Sequence, residues 1–302
     1  MYCIALYIAA ICYRAAYKLH HALRLRPGAP LLNSTLIVVG SYRTGGAGKT
    51  PFCIWLCKHY AAQGKAVALL THEYAFDETA MLKRHFANSA NIKIFATRNR
   101  YRLAHELDNS RKFDIIVCDD GFEDSRLAGA TTFILSWESA PTKISELWPY
   151  GKMRSLEKDH KANASTSTTL KCYGENPDIQ FLVDKVSPLT FHPTTSEESN
   201  GKLSRSFVAN IACGLGDPKR FCQDLQGIGI EPRHTYFFKD HCKDFSSKFE
   251  QILKKHPQEA FVISEKDAVR LPAEFIQKNA KAQIYVAHQT TTVSPEVVQK
   301  LP

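Results

Sequence analysis

The run Leu36-Ile-Val-Val-Gly40, followed by Ser-Tyr-Arg-Thr44 and then Gly45-Gly-Ala-Gly-Lys-Thr-Pro51, constrains this chain more than any other stretch. Leu36–Val39 reads as a buried strand, and Thr50 to about Gln63 as a helix. Between them lies a turn too rich in glycine to be ordinary. Glycines let successive backbone N–H groups face an anion without Cβ clashes. The helix start adds the positive end of its dipole. A strand, a glycine turn and a helix opening on Lys-Thr form a phosphate cradle: Thr44, Gly45, Gly46, Ala47 and Gly48 line it, Lys49 reaches the outer phosphates, and the Thr50 hydroxyl binds magnesium. Pro51 suits a first helical turn, where a missing N–H costs little. The usual spacing puts glycine at position 43, where this chain has Arg43.

A second signal is Phe113-Asp-Ile-Ile-Val-Cys-Asp119-Asp120-Gly121. By itself, an apolar strand followed by Asp-Asp-Gly is no more than a turn. Paired with the upstream Lys-Thr it is a magnesium site, because a P-loop enzyme needs a strand-end acid beside its metal and ligands of α/β proteins sit at strand carboxyl ends. Further strands are expected at Val67–Leu70, Ile92–Ala96, Ile115–Cys118 and Thr132–Leu135. Short apolar strands alternating with helices imply an α/β fold with a mostly parallel sheet flanked by helices. Asn163–Thr169 is a polar tract with loop chemistry, and a second polar stretch runs from Pro193 through Gly201. Strand–helix alternation resumes at Phe207–Ala212, Thr235–Phe238, Phe261–Ile263 and Ile284–Ala287, a second and smaller α/β lobe. The expected division is 1–30, 31–165 and 166–302.

The first thirty residues form the separate piece. No charged side chain occurs from Met1 to Tyr13; four Lys/Arg and two His follow from Arg14 to Arg26. Thirteen residues are too few for a spanning helix, which needs roughly 20, and a signal peptide carries its positive charges before the apolar run. Ile4, Ile8, Ile11, Ala15, Leu19 and Leu23 fall at steps of three and four, one stripe of an amphipathic helix. Such a helix lies on a membrane with its stripe in the lipid, Arg14, Lys18, Arg24 and Arg26 facing anionic headgroups; the alternative is a helix packed on its own domain. The formal charge of +9 calls for an anionic partner. With four of those cations in this helix and no aromatic–basic RNA motif, nucleic acid is disfavoured as that partner. The nine cysteines follow no zinc spacing, and Cys53 and Cys57 are expected to be buried in a helix.

Taken in order, these pieces resemble the tetraacyldisaccharide 4'-kinase (lipid A 4'-kinase) family. The resemblance rests on Val39–Pro51, Asp119-Asp-Gly121, Leu147-Trp-Pro-Tyr-Gly-Lys-Met-Arg154, Gly214–Phe221, Phe238-Lys-Asp-His241 and Ser264-Glu-Lys-Asp-Ala-Val-Arg-Leu271. The family's P-loop also lacks the first glycine. The resemblance implies a monomeric kinase on the cytoplasmic face of a bacterial inner membrane, using ATP and Mg2+ to phosphorylate the 4'-hydroxyl of an acylated glucosamine disaccharide. It implies Asp77 as catalytic base, His241 as its support, Arg154 near the active site, and Asp119 and Asp120 at magnesium. The chain departs from the pattern at Thr71-His-Glu-Tyr-Ala75, where the loop onward to Asp77 is short, and at Glu123, Asp124 and Ser155. Glu73 and Glu78 are the next carboxylates along that loop. Two other readings stay open: a different P-loop enzyme, such as a kinase of another small molecule, or a membrane-bound binding protein on a decayed kinase fold. A GTPase is disfavoured because Ser264-Glu-Lys-Asp267 is no guanine reader, and a partition-type ATPase because Thr44 precedes the glycines.

Overall fold

The computed structural model describes residues 2–24, 28–127, 129–163, 166–189, 206–240 and 242–302. Two compact units emerge, one of residues 1–180 and 291–302, the other of Phe181–Thr290.

The first unit opens with helix α1 (Tyr2–Arg24) and continues through β1 (Thr35–Gly40), α2 (Lys49–Ala62), β2 (Val67–His72), α3 (Phe76–His85), β3 (Ile92–Thr97), α4 (Arg100–Ser110), β4 (Ile115–Asp119), β5 (Thr131–Ser136) and β6 (Ser167–Lys171). Its six strands lie in the order β3-β2-β4-β1-β5-β6, all parallel. The central strands are apolar on both faces, as a sheet covered on both sides requires. β6 is the departure: Ser167–Thr169, expected as loop, pairs along β5. An edge strand has one ladder to water and tolerates the polar, β-branched run Thr168-Thr169 that reads as loop in sequence. The first unit therefore extends past residue 165 and regains the chain after Thr290.

Register decides what the sheet presents. Val39 pairs with Asp119 in parallel, so the strand-end acid lies beside the start of the glycine turn. Gly40 is obligatory at that point, since a Cβ there would collide with Phe122. In α2, Phe52, Cys53, Leu56, Cys57 and Tyr60 are buried, which fixes the helix on the sheet, and burial pushes both thiols up.

Helix α1 docks through one face only. Ala10 enters a core with Val38, Tyr42, Phe122, Leu147, Met153 and Leu156. Tyr7 meets Tyr150 edge-on and Tyr13 meets Trp148, at ring separations of 5.9 and 5.6 Å. Arg14, expected at lipid headgroups, instead pairs with the nearly buried Asp159 at 2.9 Å, its guanidinium donating to both carboxylate oxygens. Lys18 stands 3.8 Å from the same oxygen and stays exposed. The side chains of Leu23 and Arg24, like all of Arg26, lie outside the described residues. The expected apolar stripe remains in solvent: Ile4, Ile8 and Leu19 are 66, 54 and 62% exposed. No described helix is long and apolar enough to cross a membrane.

The second unit contains β8 (Phe207–Cys213), α5 (Pro218–Gly227), β9 (Ile230–Phe237), α6 (Phe245–Lys255), β10 (Phe261–Ser264), α7 (Glu265–Ala268) and α8 (Ala273–Lys278), with most of β7 (Ile179–Pro188) and β11 (Ile284–Val293). Its strand order is β7-β11-β10-β8-β9. Phe245, Phe249 and Phe261 form its fully buried centre. β7 escaped the sequence reading because its alternation of buried and exposed residues is short and breaks at the adjacent charges Asp184 and Lys185, both exposed. The polar stretch from Pro193 through Gly201 lies outside the described residues.

Entry into β1 rests on one buried carboxylate. Asp108 of α4 accepts hydrogen bonds from the backbone N–H groups of Leu32, Asn33 and Ser34 at 2.7–2.9 Å. Burial works to raise its pKa, but the three donors outweigh it and hold the carboxyl below its ordinary value. Asp108→Ala orphans these donors and should cost about 2–4 kcal/mol, lowering Tm by roughly 5–15 °C. A depressed pKa contributes stability that is lost as pH falls, so the gap between wild type and variant should narrow below pH 3.8 in thermal melts.

Candidate active site

The loop between β1 and α2 is shaped by a neighbour. Tyr42 O accepts from Arg154 N at 2.7 Å, and Thr44 N donates to Lys152 O at 3.0 Å. Arg43 and Met153 thus form an antiparallel bridge. Position 43 is held as an extended rung and needs no left-handed backbone, which is why arginine stands there. The left-handed positions are Gly46 and Gly48, at φ 65° and 82°. Trp137, just beyond β5, donates its Nε1 to Ala47 O at 3.0 Å. Helix α2 then starts at Lys49 with no side-chain cap. Its first N–H groups are left for an anion.

Two acids face this helix start and differ sharply. Thr50 Oγ1 donates to Asp119 Oδ2 at 2.9 Å, while Asp119 Oδ1 is buried with no hydrogen-bond partner. Burial, then the charges of Glu78 and Asp120, push the Asp119 carboxyl up to about 7, against the pull of Lys49 and the Thr50 hydrogen bond. Asp120 adopts a left-handed backbone at φ 55°, tolerated best by Asp and Asn among non-glycine residues. Arg100 holds this turn, donating Nη1 to the carbonyls of Asp119 and Asp120 at 2.8 and 2.9 Å. The turn brings the Asp120 carboxylate 3.4 Å from Lys49 Nζ and 2.9 Å from Arg154 Nη1. Burial opposes ionisation there, but Lys49 and Arg154 prevail and draw Asp120 down to about 2. Arg154 also donates Nη2 to Thr44 O at 3.1 Å.

Thus Thr44, Lys49, Thr50, Asp119, Asp120 and Arg154 are brought together, with Gly45, Gly46, Ala47 and Gly48 as the connecting turn. Asp77 lies in the first turn of α3, 2% exposed, its Oδ1 accepting from Glu78 N at 2.9 Å. Glu78, next to it, is the acid whose field reaches Asp119. His241 lies outside the described residues. In the second unit Asp240 pairs with Lys266 at 3.0 Å. Asp267 of the same motif is a brace, fully buried and accepting from Gly214 N, Ser264 Oγ and Arg270 Nη1. Sequence reasoning missed Arg100 and Trp137, which belong to no motif and are defined only by the carbonyls they reach. Among the departures, Asp124 is taken up by Arg126, and Glu123 accepts from Ser155.

The residues present fit a magnesium ion. An orphaned carboxylate oxygen beside a P-loop threonine, in the field of two more acids, is an anionic site short of a cation. Magnesium takes one or two protein oxygens together with water and phosphates, and Thr50 Oγ1 and the Asp119 carboxylate are oxygens of that kind. A carboxyl raised to about 7 costs stability as it ionises: the folded state holds the proton longer, so stability falls as pH rises from about 4 to 7. Asp119→Asn should therefore melt several degrees above wild type at pH 8 without magnesium, and the advantage should vanish near pH 4.5 in calorimetry.

The sequence model of the tetraacyldisaccharide-1-P 4'-kinase family matches residues 3–76 and 71–302. Its two segments meet at the short loop leading to Asp77. Proteins described as tetraacyldisaccharide 4'-kinase are similar along most of the chain. The one from Chlamydia caviae is 25% identical over 274 residues, covering 79% of this chain and 73% of its own. That from Chlorobaculum tepidum is 26% identical over 300 residues, covering 86% and 83%. A crystal structure of LpxK from Aquifex aeolicus in complex with ATP superimposes with a TM-score of 0.66 at 17% identity, over 99% of this chain and 98% of that one, and so shares the fold. With a family match running from the first helix to the last residue, this chain belongs to the tetraacyldisaccharide-1-P 4'-kinase family.

Proposed function

We propose that this chain is an ATP-dependent kinase of lipid A biosynthesis that phosphorylates the 4'-hydroxyl of a tetraacyldisaccharide 1-phosphate. One observation carries the reading: a helix N-terminus with Lys49, Thr50, Asp119, Asp120 and Arg154 joined around it, in a chain of this family. The acceptor oxygen forms its bond to the γ-phosphorus as the bridging bond to ADP breaks. Asp77 takes the hydroxyl proton, with His241 as its support. Lys49 offsets charge on the transferring group, and Arg154, held by Asp120 and Thr44, adds a second cation beside it. Thr50, with Asp119 and Asp120 beside it, would hold a magnesium ion, which would supply positive charge to the phosphates. We assign nucleotide binding to the first unit and a supporting role to the second. A single chain supplies every residue named, so a monomer suffices.

The surface of α1 supports a place on the membrane. Ile4, Ile8, Ile11 and Leu19 form an uncovered apolar stripe, with Lys18 at its edge. The acylated substrate is itself a membrane lipid and ATP is cytoplasmic, so we place the enzyme on the cytoplasmic face of a bacterial inner membrane. With Arg14 committed to Asp159, attachment is mainly apolar. Ile8→Glu with Ile11→Glu should release the protein from anionic lipid vesicles in a flotation assay, while about 0.5 M salt, which screens exposed charges, should weaken binding only partly. Equal binding by the variant would show that the stripe does not meet lipid.

The catalytic reading is tested with radiolabelled ATP and tetraacyldisaccharide 1-phosphate in mixed micelles. Wild type should move the γ-label to the lipid; failure to do so with ATP still bound would mark a decayed enzyme. Lys49→Ala should lose more than about a hundredfold in rate, roughly 2.7 kcal/mol of barrier. Asp77→Ala should lower kcat by ~10²- to 10⁴-fold, the usual worth of a general base, with little change in KM for ATP. Near-normal turnover in Asp77→Ala would move the base to Glu78 or Glu73.

A further inference from the structure

Three neighbouring strands of the second unit bring a serine, an imidazole and a carboxylate into line, none of them used in the kinase reading. Ser187 lies near the end of β7, the edge strand of the sheet, beside β11. In the parallel register of β10 and β11, Ser264 pairs with Ala287, so the residues that follow them, Glu265 and His288, stay neighbours. His288 Nδ1 is 2.8 Å from Glu265 Oε1, and His288 Nε2 is 2.7 Å from Ser187 Oγ. A carboxylate only accepts, so the imidazole carries its proton on Nδ1 and turns the lone pair of Nε2 to the serine hydroxyl. A general base needs this tautomer.

Two features separate the trio from an ordinary structural contact. Other serines of the chain direct the hydroxyl to a backbone carbonyl: Ser34 to Phe113, Ser41 to Leu135 and Ser247 to Asp244. Ser187 instead meets a base whose far nitrogen is held by an acid, the arrangement that activates a nucleophilic hydroxyl. The trio can also be reached. Ser187 is partly exposed, and His288 and Glu265 keep 28 and 30% of their side chains in water. Within the same short motif Lys266 pairs with Asp240 and Asp267 with Arg270, whereas Glu265 turns to the histidine.

We propose that Ser187, His288 and Glu265 form a second catalytic site, which hydrolyses small carboxylic esters. It goes beyond the kinase reading and does not depend on it. The Ser187 oxygen bonds to the ester carbonyl carbon while its proton passes to His288 Nε2. As the carbonyl re-forms, the alkoxide leaves and takes that proton as an alcohol. Water then attacks the acyl-serine, giving a proton to the same nitrogen; the proton returns to Ser187 Oγ and the carboxylic acid departs. Glu265 holds the ring and offsets the imidazolium charge in each half. The partial burial of Ser187 limits the acyl group to a small one.

The test uses the full chain without ATP or lipid, so a failure of the kinase reading leaves it unaffected. An alkyl fluorophosphonate, which phosphonylates activated serines with loss of fluoride, is added to wild type, Ser187→Ala, His288→Ala and Glu265→Gln. Peptide mass spectrometry locates the label, with the exposed Ser247 as internal reference. Wild type should be labelled at Ser187 and not at Ser247. His288→Ala should slow labelling by about a hundredfold or more, the usual contribution of a positioned base. Glu265→Gln keeps an acceptor for Nδ1–H without the charge; it should slow labelling less, and it serves alone if His288→Ala does not fold. The double variant should be no slower than His288→Ala, because the three act as a unit. With p-nitrophenyl acetate, wild type should carry an acetyl group on Ser187 and turn the ester over, and Ser187→Ala should lose both. Absence of label at Ser187, or labelling undiminished in His288→Ala and Glu265→Gln, overturns the proposal. A lowered Tm in Ser187→Ala with no labelling of wild type makes the trio a brace between strands.

Discussion

The Asp120 carboxylate binds two cations at once, Lys49 at 3.4 Å and Arg154 at 2.9 Å, and the remainder of the site is arranged so that it can. A side chain leaving an ordinary strand end would not reach both. The left-handed backbone at Asp120 turns it there, and that conformation is held from three sides: Arg100 on the two carbonyls, the Gly121 N–H on Val39 O, and the tight approach of Phe122 to Gly40. Such a backbone costs of order 1 kcal/mol or more, and the ion contacts offset it. The antiparallel rung between Thr44 and Lys152 brings Arg154 to the same place from a distant part of the sequence. Glycine turn, strand-end acids and the Leu147–Arg154 segment are thus one object.

Neighbouring carboxylates are pushed in opposite directions within this object. Asp120 sits at about 2 because two cations face it; Asp119 sits at about 7 because it is buried, faces other acids and has one oxygen without a donor. A core assembled for stability alone would not keep Asp119 in that state. A divalent cation resolves the conflict, and so does a proton. The protein is tuned to hold a positive charge that it does not itself provide.

Helix α1 divides its surface between two environments. Ala10, Arg14 and Tyr17 commit one face to the first unit, by packing, by an ion pair and by a hydrogen bond. The isoleucine and leucine stripe stays bare. Of the two readings weighed from sequence, a membrane helix or a helix packed on its domain, the second describes the face of Ala10, Arg14 and Tyr17, while the opposite face is left exposed. A helix has enough circumference for two apolar or amphipathic contacts, and the period alone does not say which face takes which.

From sequence by itself came the parallel α/β architecture, the glycine turn and helix start at Gly45–Thr50, the strand-end pair Asp119–Asp120 and the stripe of α1. Each is written in local pattern: glycines where a backbone must turn, apolar runs where a strand is covered on both faces, steps of three and four on a helix. Tertiary structure alone decided the rest. It showed Arg43 to be an extended rung, made a strand of the polar run Ser167–Lys171, turned Arg14 inward to Asp159, and recruited Arg100, Trp137 and the Glu123–Ser155–His160 chain. These depend on partners as far as 145 residues away, on carbonyls that carry no side-chain signature, and on which edge of a sheet faces water. Pattern reports what a residue prefers, whereas its charge state and partner are set by whatever the folded chain places within about 4 Å of it, where Coulomb and hydrogen-bond terms act.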